Sequence, residues 1–167
     1  MTTMAATIYF VATLPLLFYI VFSDLRYMRI YNWSNIALFL IFLILSPFFF
    51  EWIEIGWRLV AAAVMFAVGF VLNISRLLGG GDAKFLPAAA PYVALSDATF
   101  VMVLLAALSI IIVILHRAML LIPPFKRQVA DWVSWNDPRM NGRPATPYGV
   151  ALAATLSAYL FLKAFVA

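Results

Sequence analysis

The sequence predicts an all-α fold: a polytopic membrane helix bundle with both termini outside. Three observations predict it. The chain is 66% hydrophobic and 11% charged, with a mean hydropathy of +1.05, too little polar surface for a soluble domain of 167 residues. Its apolar residues fall into runs close to the roughly 20 residues that cross a hydrocarbon layer, so about six crossings would use roughly 120 residues. Its basic residues, laid out on six crossings, gather on one side. Residues 1–167 therefore read as a single integral membrane domain, with no room for a separate soluble one.

The first segment covers residues 7–22. No basic stretch precedes it and no small-residue cleavage pattern follows it, so it reads as a retained helix. Pro15 lies inside it, which membrane helices tolerate where neighbours satisfy the freed carbonyl. The second covers 33–50 and the third 57–77. The fourth, 83–95, is short and contains Pro87 and Pro91. It is expected to be tilted, extended by the preceding glycines or packed inside the bundle; a re-entrant segment is the alternative. Ala83, Ala88, Ala89, Ala90 and Ala94 would let other helices approach it closely. The fifth covers 98–121, a polar connection 123–146, and the sixth 147–166. Trp33, Trp52 and Trp57 suit interfacial anchoring at helix ends.

On six crossings, Arg26, Arg29, Arg76, Lys84, Arg117, Lys126, Arg127, Arg139 and Arg143 share one side, and only Arg58 and Lys163 take the other. The excess of Lys and Arg assigns the first side to the cytoplasm. Glu51, Glu54 and Asp97 fall outside. The net charge of +4 is thus accounted for by membrane orientation, not by nucleic-acid binding. With no cysteine, thiol catalysis, disulfides and cysteine-ligated metal are excluded, and the single histidine, His116, cannot build a metal cluster alone.

Two carboxylates stand out. Asp24 follows the first apolar run, in Phe22-Ser23-Asp24-Leu25-Arg26. Asp82 follows the third, in Gly79-Gly80-Gly81-Asp82-Ala83-Lys84. Both map to the cytoplasmic face, whether or not segment 83–95 crosses. Charges near a bilayer are costly and mark function by default. Two close carboxylates resist joint ionisation and share a proton. One can then take a proton from water while the other polarises a peptide carbonyl, with no metal or organic cofactor. The glycines permit positive φ and close backbone approach, and a mobile turn would admit a peptide strand. Each feature also has an ordinary reading: a helix-end charge for Asp24, a plain loop for the glycines, an orientation-setting cation for Lys84.

At these residues the chain resembles the type IV prepilin peptidases, a family of GxGD membrane aspartyl proteases. Gly79-Gly80-Gly81-Asp82-Ala83-Lys84 resembles the signature around the family's second aspartate. Asp24-Leu25-Arg26-Tyr27-Met28-Arg29-Ile30-Tyr31-Asn32 is similar to the first-aspartate motif, with Tyr31 where the family usually has proline. Pro147-Tyr148-Gly149 is similar to a Pro-aromatic-Gly element. The resemblance implies Asp24 and Asp82 as the catalytic pair, and supporting positions at Gly79, Gly80, Gly81, Lys84, Asn32, Pro147 and Gly149. It implies a multi-pass protein of the bacterial inner membrane with its active site toward the cytoplasm. Its partners would be prepilin or pseudopilin precursors, membrane lipids and the pilus assembly machinery. Bifunctional relatives carry a further cytoplasmic region between the first two helices, often with a four-cysteine zinc site. Here residues 26–32 form a short loop, so neither zinc nor methyl transfer is expected. The short form is most similar to peptidases of tight-adherence (Flp) pili.

Two other functions are compatible with the residues: a noncatalytic assembly factor, with the glycines as a packing hinge, and a carboxylate-dependent ion transporter. Against the transporter, both aspartates lie at one face instead of the midplane. Among the remaining residues, Arg26 and Arg29 are read as boundary anchors and Asn32 as a cap of the second helix. Asn73, Ser75 and Arg76 make the third helix end polar, while His116 and Arg117 mark the inner end of the fifth. Val129, Trp132 and Val133 are read as one face of a short interfacial helix.

Overall fold

Prolines punctuate the helices. Pro47 lies in a 3-10 turn, Ser46–Phe48, and Pro91 in another, Ala90–Tyr92. Pro147 is the residue before the last helix. A ring that fixes φ and removes an N–H suits the edges of helices better than their interiors, and only Pro15 and Pro87 among the described residues lie inside one. The computed structural model describes residues 1–129, 131–137, 141 and 144–166, except the side chain of Lys126. Arg139 and Arg143, two of the basic residues used for orientation, lie outside the described residues, as does the Lys126 side chain.

Among the described residues the elements are α1 (Thr3–Tyr27), α2 (Asn32–Leu45), α3 (Trp52–Ile74), α4 (Gly80–Ala89), α5 (Ala98–Met119), α6 (Pro123–Gln128) and α7 (Tyr148–Phe165). Among the described residues, four helices are long and apolar enough to cross a membrane: Thr3–Tyr27, Trp52–Ile74, Leu95–Met119 and Tyr148–Phe165. The protein is a multi-pass helical membrane protein.

Several boundaries differ from the sequence reading for physical reasons. The first helix extends past residue 22 to Tyr27, because Ser23 and Asp24 find partners on other segments. It stops at Met28, whose φ of 51° is left-handed and whose N–H closes onto the Asp24 carbonyl. The second helix ends short of residue 50, at Leu45, where Ser46-Pro47 diverts it into a 3-10 turn. The third begins at Trp52 and stops before Arg76, which has a φ of 58°. Asn73 Nδ2 then donates to the Leu78 carbonyl across the turn (3.1 Å).

The short fourth segment is packed inside the bundle. Ala83, Phe85 and Ala88 of α4 are buried, and the helix lies among α2, α3 and α7. Gly69 of α3 lets it come close: a Cβ there would sit 2.5 Å from the Ala83 carbonyl oxygen. At the far end Arg58 Nη1 donates to the Pro91 carbonyl (2.7 Å). The core runs from the stacked rings of Tyr9 and Phe42, with Tyr92 edge-on, to Leu156 and Leu160 of α7. The α1–α7 pair forms the spine of the molecule.

Candidate functional site

The glycine run is not a separate flexible turn. Gly79 precedes α4, with a φ of −63°, and Gly80 and Gly81 form its first residues. None of these three glycines adopts the left-handed φ that glycine permits. Their value is space. A Cβ on Gly79 would lie 2.9 Å from Asp82 Oδ2, and one on Gly81 would lie 2.9 Å from the Ile30 carbonyl oxygen. A Cβ on Gly80 meets only Asn73 Nδ2, at 3.7 Å, an ordinary contact. So Gly79 makes room for the carboxylate, Gly81 makes room for the α1–α2 loop, and the middle position is free.

Asp24 is reached from the other side. It lies in the last turn of α1, is buried, and accepts a hydrogen bond from the Val150 N–H (3.1 Å). Val150 is in the first turn of α7, where backbone N–H groups lack helical partners and favour an anion. Gly149 makes this approach possible: a Cβ there would sit 2.8 Å from Asp24 Oδ2 and 2.7 Å from Ile30 Cδ1. Pro147 supplies the extended entry to α7, with a ψ of 90°. Ile30 thus wedges between the starts of α4 and α7, its backbone on Gly81 and its side chain on Gly149.

The two carboxylates are close enough for their charges to repel. Among the described residues, no cation is paired with either. Asp82, outside the four long spanning helices, is half-buried, and burial pushes its carboxyl up to about 6. Two close carboxylates that share a proton can act on water and carbonyl together. Among the described residues, no three His, Cys, Asp or Glu side chains gather as a metal site.

The surrounding residues divide. Lys84 Nζ donates to Asn32 Oδ1 (3.0 Å), joining α4 to the start of α2. Asn32 is therefore the first helical residue and not the cap, which is Tyr31. The Arg26 guanidinium lies over the rings of Phe22 and Tyr27, at 5.7 and 5.5 Å. Ser23 Oγ donates to the Arg29 carbonyl (2.8 Å), holding the loop beside Asp24.

Two features escaped the sequence reading. Asn35 is buried on α2, and its Nδ2 donates to the Gly81 carbonyl (3.1 Å). Its signal was available: an amide just before the unbroken apolar run of the helix. The second is the connection after α5. Its helix is α6, Pro123–Gln128, and Val129, Trp132 and Val133 follow in turns, not on an interfacial helix. The Val133 and Ser134 N–H groups donate to the Arg26 and Leu25 carbonyls (3.0 and 3.3 Å). They satisfy the open end of the helix that carries Asp24. Trp135 stacks on buried His116 (4.3 Å between centroids) and donates Nε1–H to its carbonyl (3.0 Å).

A multi-pass helical bundle that brings two carboxylates together at one end has the layout of a membrane hydrolase. The chain belongs to the type IV leader peptidase family, whose sequence model matches residues 11–115. That stretch contains both aspartates and the glycine run; Pro147-Tyr148-Gly149 lies beyond it. No curated protein and no solved structure matches the chain. Family membership makes the protein a membrane-embedded peptidase of the leader peptidase kind, acting on prepilin-type substrates.

Proposed function

We propose that this protein is an aspartic endopeptidase that removes the leader peptide from type IV pilin precursors of the Flp class. It acts at the cytoplasmic face of the bacterial inner membrane, with Asp24 and Asp82 as the catalytic pair. The observation that carries the reading is that the two aspartates, on α1 and α4, come near enough for their charges to repel, with neither paired to a cation among the described residues. In this mechanism one carboxylate takes a proton from water as its oxygen attacks the scissile carbonyl carbon. The protonated partner donates to the carbonyl oxygen, stabilising the tetrahedral intermediate. Collapse breaks the C–N bond, and a carboxyl proton passes to the leaving amine. No methyl transfer is assigned to the chain.

The basic residues support the orientation: Arg26, Arg29 and Lys84 surround the aspartate end, whereas Arg58 and Lys163 are paired with acids at the other. The deciding experiment co-expresses the chain with an Flp-type precursor and compares wild type with Asp24→Asn and Asp82→Asn. Leader removal should vanish in both variants at unchanged membrane levels. Full processing by both folded variants overturns the catalytic pair. Pilus assembly that survives both changes without processing would favour an assembly factor.

A further inference from the structure

α2 and α3 follow one another in the chain yet scarcely touch; each packs against α4 instead. Between them lies a lateral groove of about 670 Å³. Phe39 lines one wall, Ala62 and Ala63 the other, and Pro87 and Ala88 form the floor. Small residues on wall and floor allow a helix backbone to approach. From Asn32 to Leu40 the groove follows α2 for about 12 Å, two turns of helix.

The groove is polar at one end only, and that end adjoins the aspartates. Asn32 and Lys84 stand at its mouth, and Lys84 is two residues from Asp82. Asn35 lines it just inside. The Asn35 Nδ2 is committed to the Gly81 carbonyl, which leaves Oδ1 as a buried acceptor without a partner among the described residues. A helix N-terminus carries the opposite need, N–H groups without acceptors. A lipid chain offers no donor there.

We propose that this groove seats the apolar helix of the precursor, the segment that follows the scissile bond, with its N-terminus against Asn35. The inference rests on the peptidase reading and gives it a substrate-binding surface. The helix then runs away from the aspartates into the membrane, and its first residues lie beside Gly81 and Asp82. Binding energy from the helix would position the bond before it without contributing to the chemistry.

The absence of cysteine makes a clean test. Ala63→Cys and, one position round the same helix on an exposed face, Val64→Cys are each placed in an Asp82→Asn chain that retains precursor. The probe is a precursor with a basic leader, a 20-residue apolar helix and one cysteine about six residues into that helix. Oxidation in vesicles should give at least about tenfold more disulfide at 63 than at 64, a difference of ~1.4 kcal/mol. In the active chain, Ala63→Trp should raise KM for the precursor about tenfold and leave kcat within about twofold. Equal cross-linking at 63 and 64 overturns the proposal. So does a 63–63 cross-link without precursor, which indicates a second copy. So does loss of a bound phospholipid on Ala63→Trp with unchanged cleavage. Selective cross-linking at 63 beside a wild type that never cleaves would retain the groove and defeat the peptidase reading instead.

Discussion

The two ends of the bundle both bring charge out of water, and they treat it in opposite ways. At the end away from the aspartates, Arg58 gives Nε and Nη2 to Glu54 Oε1 (3.0 and 2.8 Å) and lies 4.1 Å above the Phe50 ring. There too, Asp97 takes Lys163 at 3.0 Å and the Tyr159 hydroxyl at 2.8 Å. These are charges satisfied in place. At the other end, Asp24 takes an amide N–H and lies within reach of the charge of Asp82, with repulsion where the first end has attraction. One end pairs its charges; the other, the end proposed to react, sets two carboxylates against each other. Glycines 79, 81 and 149 show what it takes to assemble the reactive end: contacts that no side chain would permit.

Breaking the reactive end should give the largest effect on activity and almost none on assembly of the fold. Asp24→Asn and Asp82→Asn should each lower precursor cleavage by at least about 1,000-fold, since removing one member of a unit disables the whole. Quantitative processing assays at matched membrane levels check this. The glycines sharpen the comparison at the next level. Gly81→Ala must displace the Ile30 backbone, and cleavage should fall by about 10–100-fold, as expected when a reacting group is misplaced. Gly80→Ala should retain cleavage and stabilise α4 by up to about 1 kcal/mol, because its Cβ makes only an ordinary contact with Asn73 in a helix. If Gly80→Ala and Gly81→Ala lose cleavage equally, the spacing argument fails.

The holding end should respond the other way. Arg58→Met strands the Pro91 carbonyl and removes the partner of Glu54, at a cost of about 1–3 kcal/mol. Thermal unfolding in detergent should show the loss, while protein that remains folded cleaves within about threefold of wild type (~0.65 kcal/mol). A selective loss of turnover in Arg58→Met would mean the two ends are coupled.

Much of this contrast was legible in the residues, and the illegible part has a common cause. Composition and basic asymmetry indicated a multi-pass helical bundle because those signals are summed over whole segments. Asp24 and Asp82 stood out because each is a lone carboxylate at the end of an apolar run. The helix ends were misread wherever a polar residue was taken as leaving the helix. Ser23 and Asp24 stay in α1 because Arg29 and Val150, distant along the chain or in a loop, supply their partners. Gly79, Gly80 and Gly81 permit positive φ, yet it occurs at Met28, Arg76 and Asn141. Glycine allows that conformation without requiring it, and whether the absent Cβ serves a turn or a close contact depends on what packs opposite. The same holds for Asn35, whose partner is a backbone carbonyl 46 positions away.

The smallest predicted effect concerns stability at the reactive end. Burial pushes the Asp82 carboxyl up to about 6, above the value of about 3.9 for an unfolded chain. Below both values the group is protonated in each state and costs nothing. Between them the unfolded chain releases its proton first, so stability falls as pH rises. Above about 6 the folded protein carries the full cost of an unpaired, half-buried charge. Asp82→Asn removes that cost without changing shape. Its thermal midpoint in detergent should exceed that of wild type at pH 8, with the difference shrinking toward zero at pH 4. The analogous change at the holding end, Asp97→Asn, loses the ion pair with Lys163 and should lower the midpoint at pH 8. A gain of stability bought with lost activity at one end, and a plain loss at the other, is what separates a poised charge from a structural one. Were Asp82→Asn to destabilise the protein at pH 8, Asp82 would belong with the structural charges.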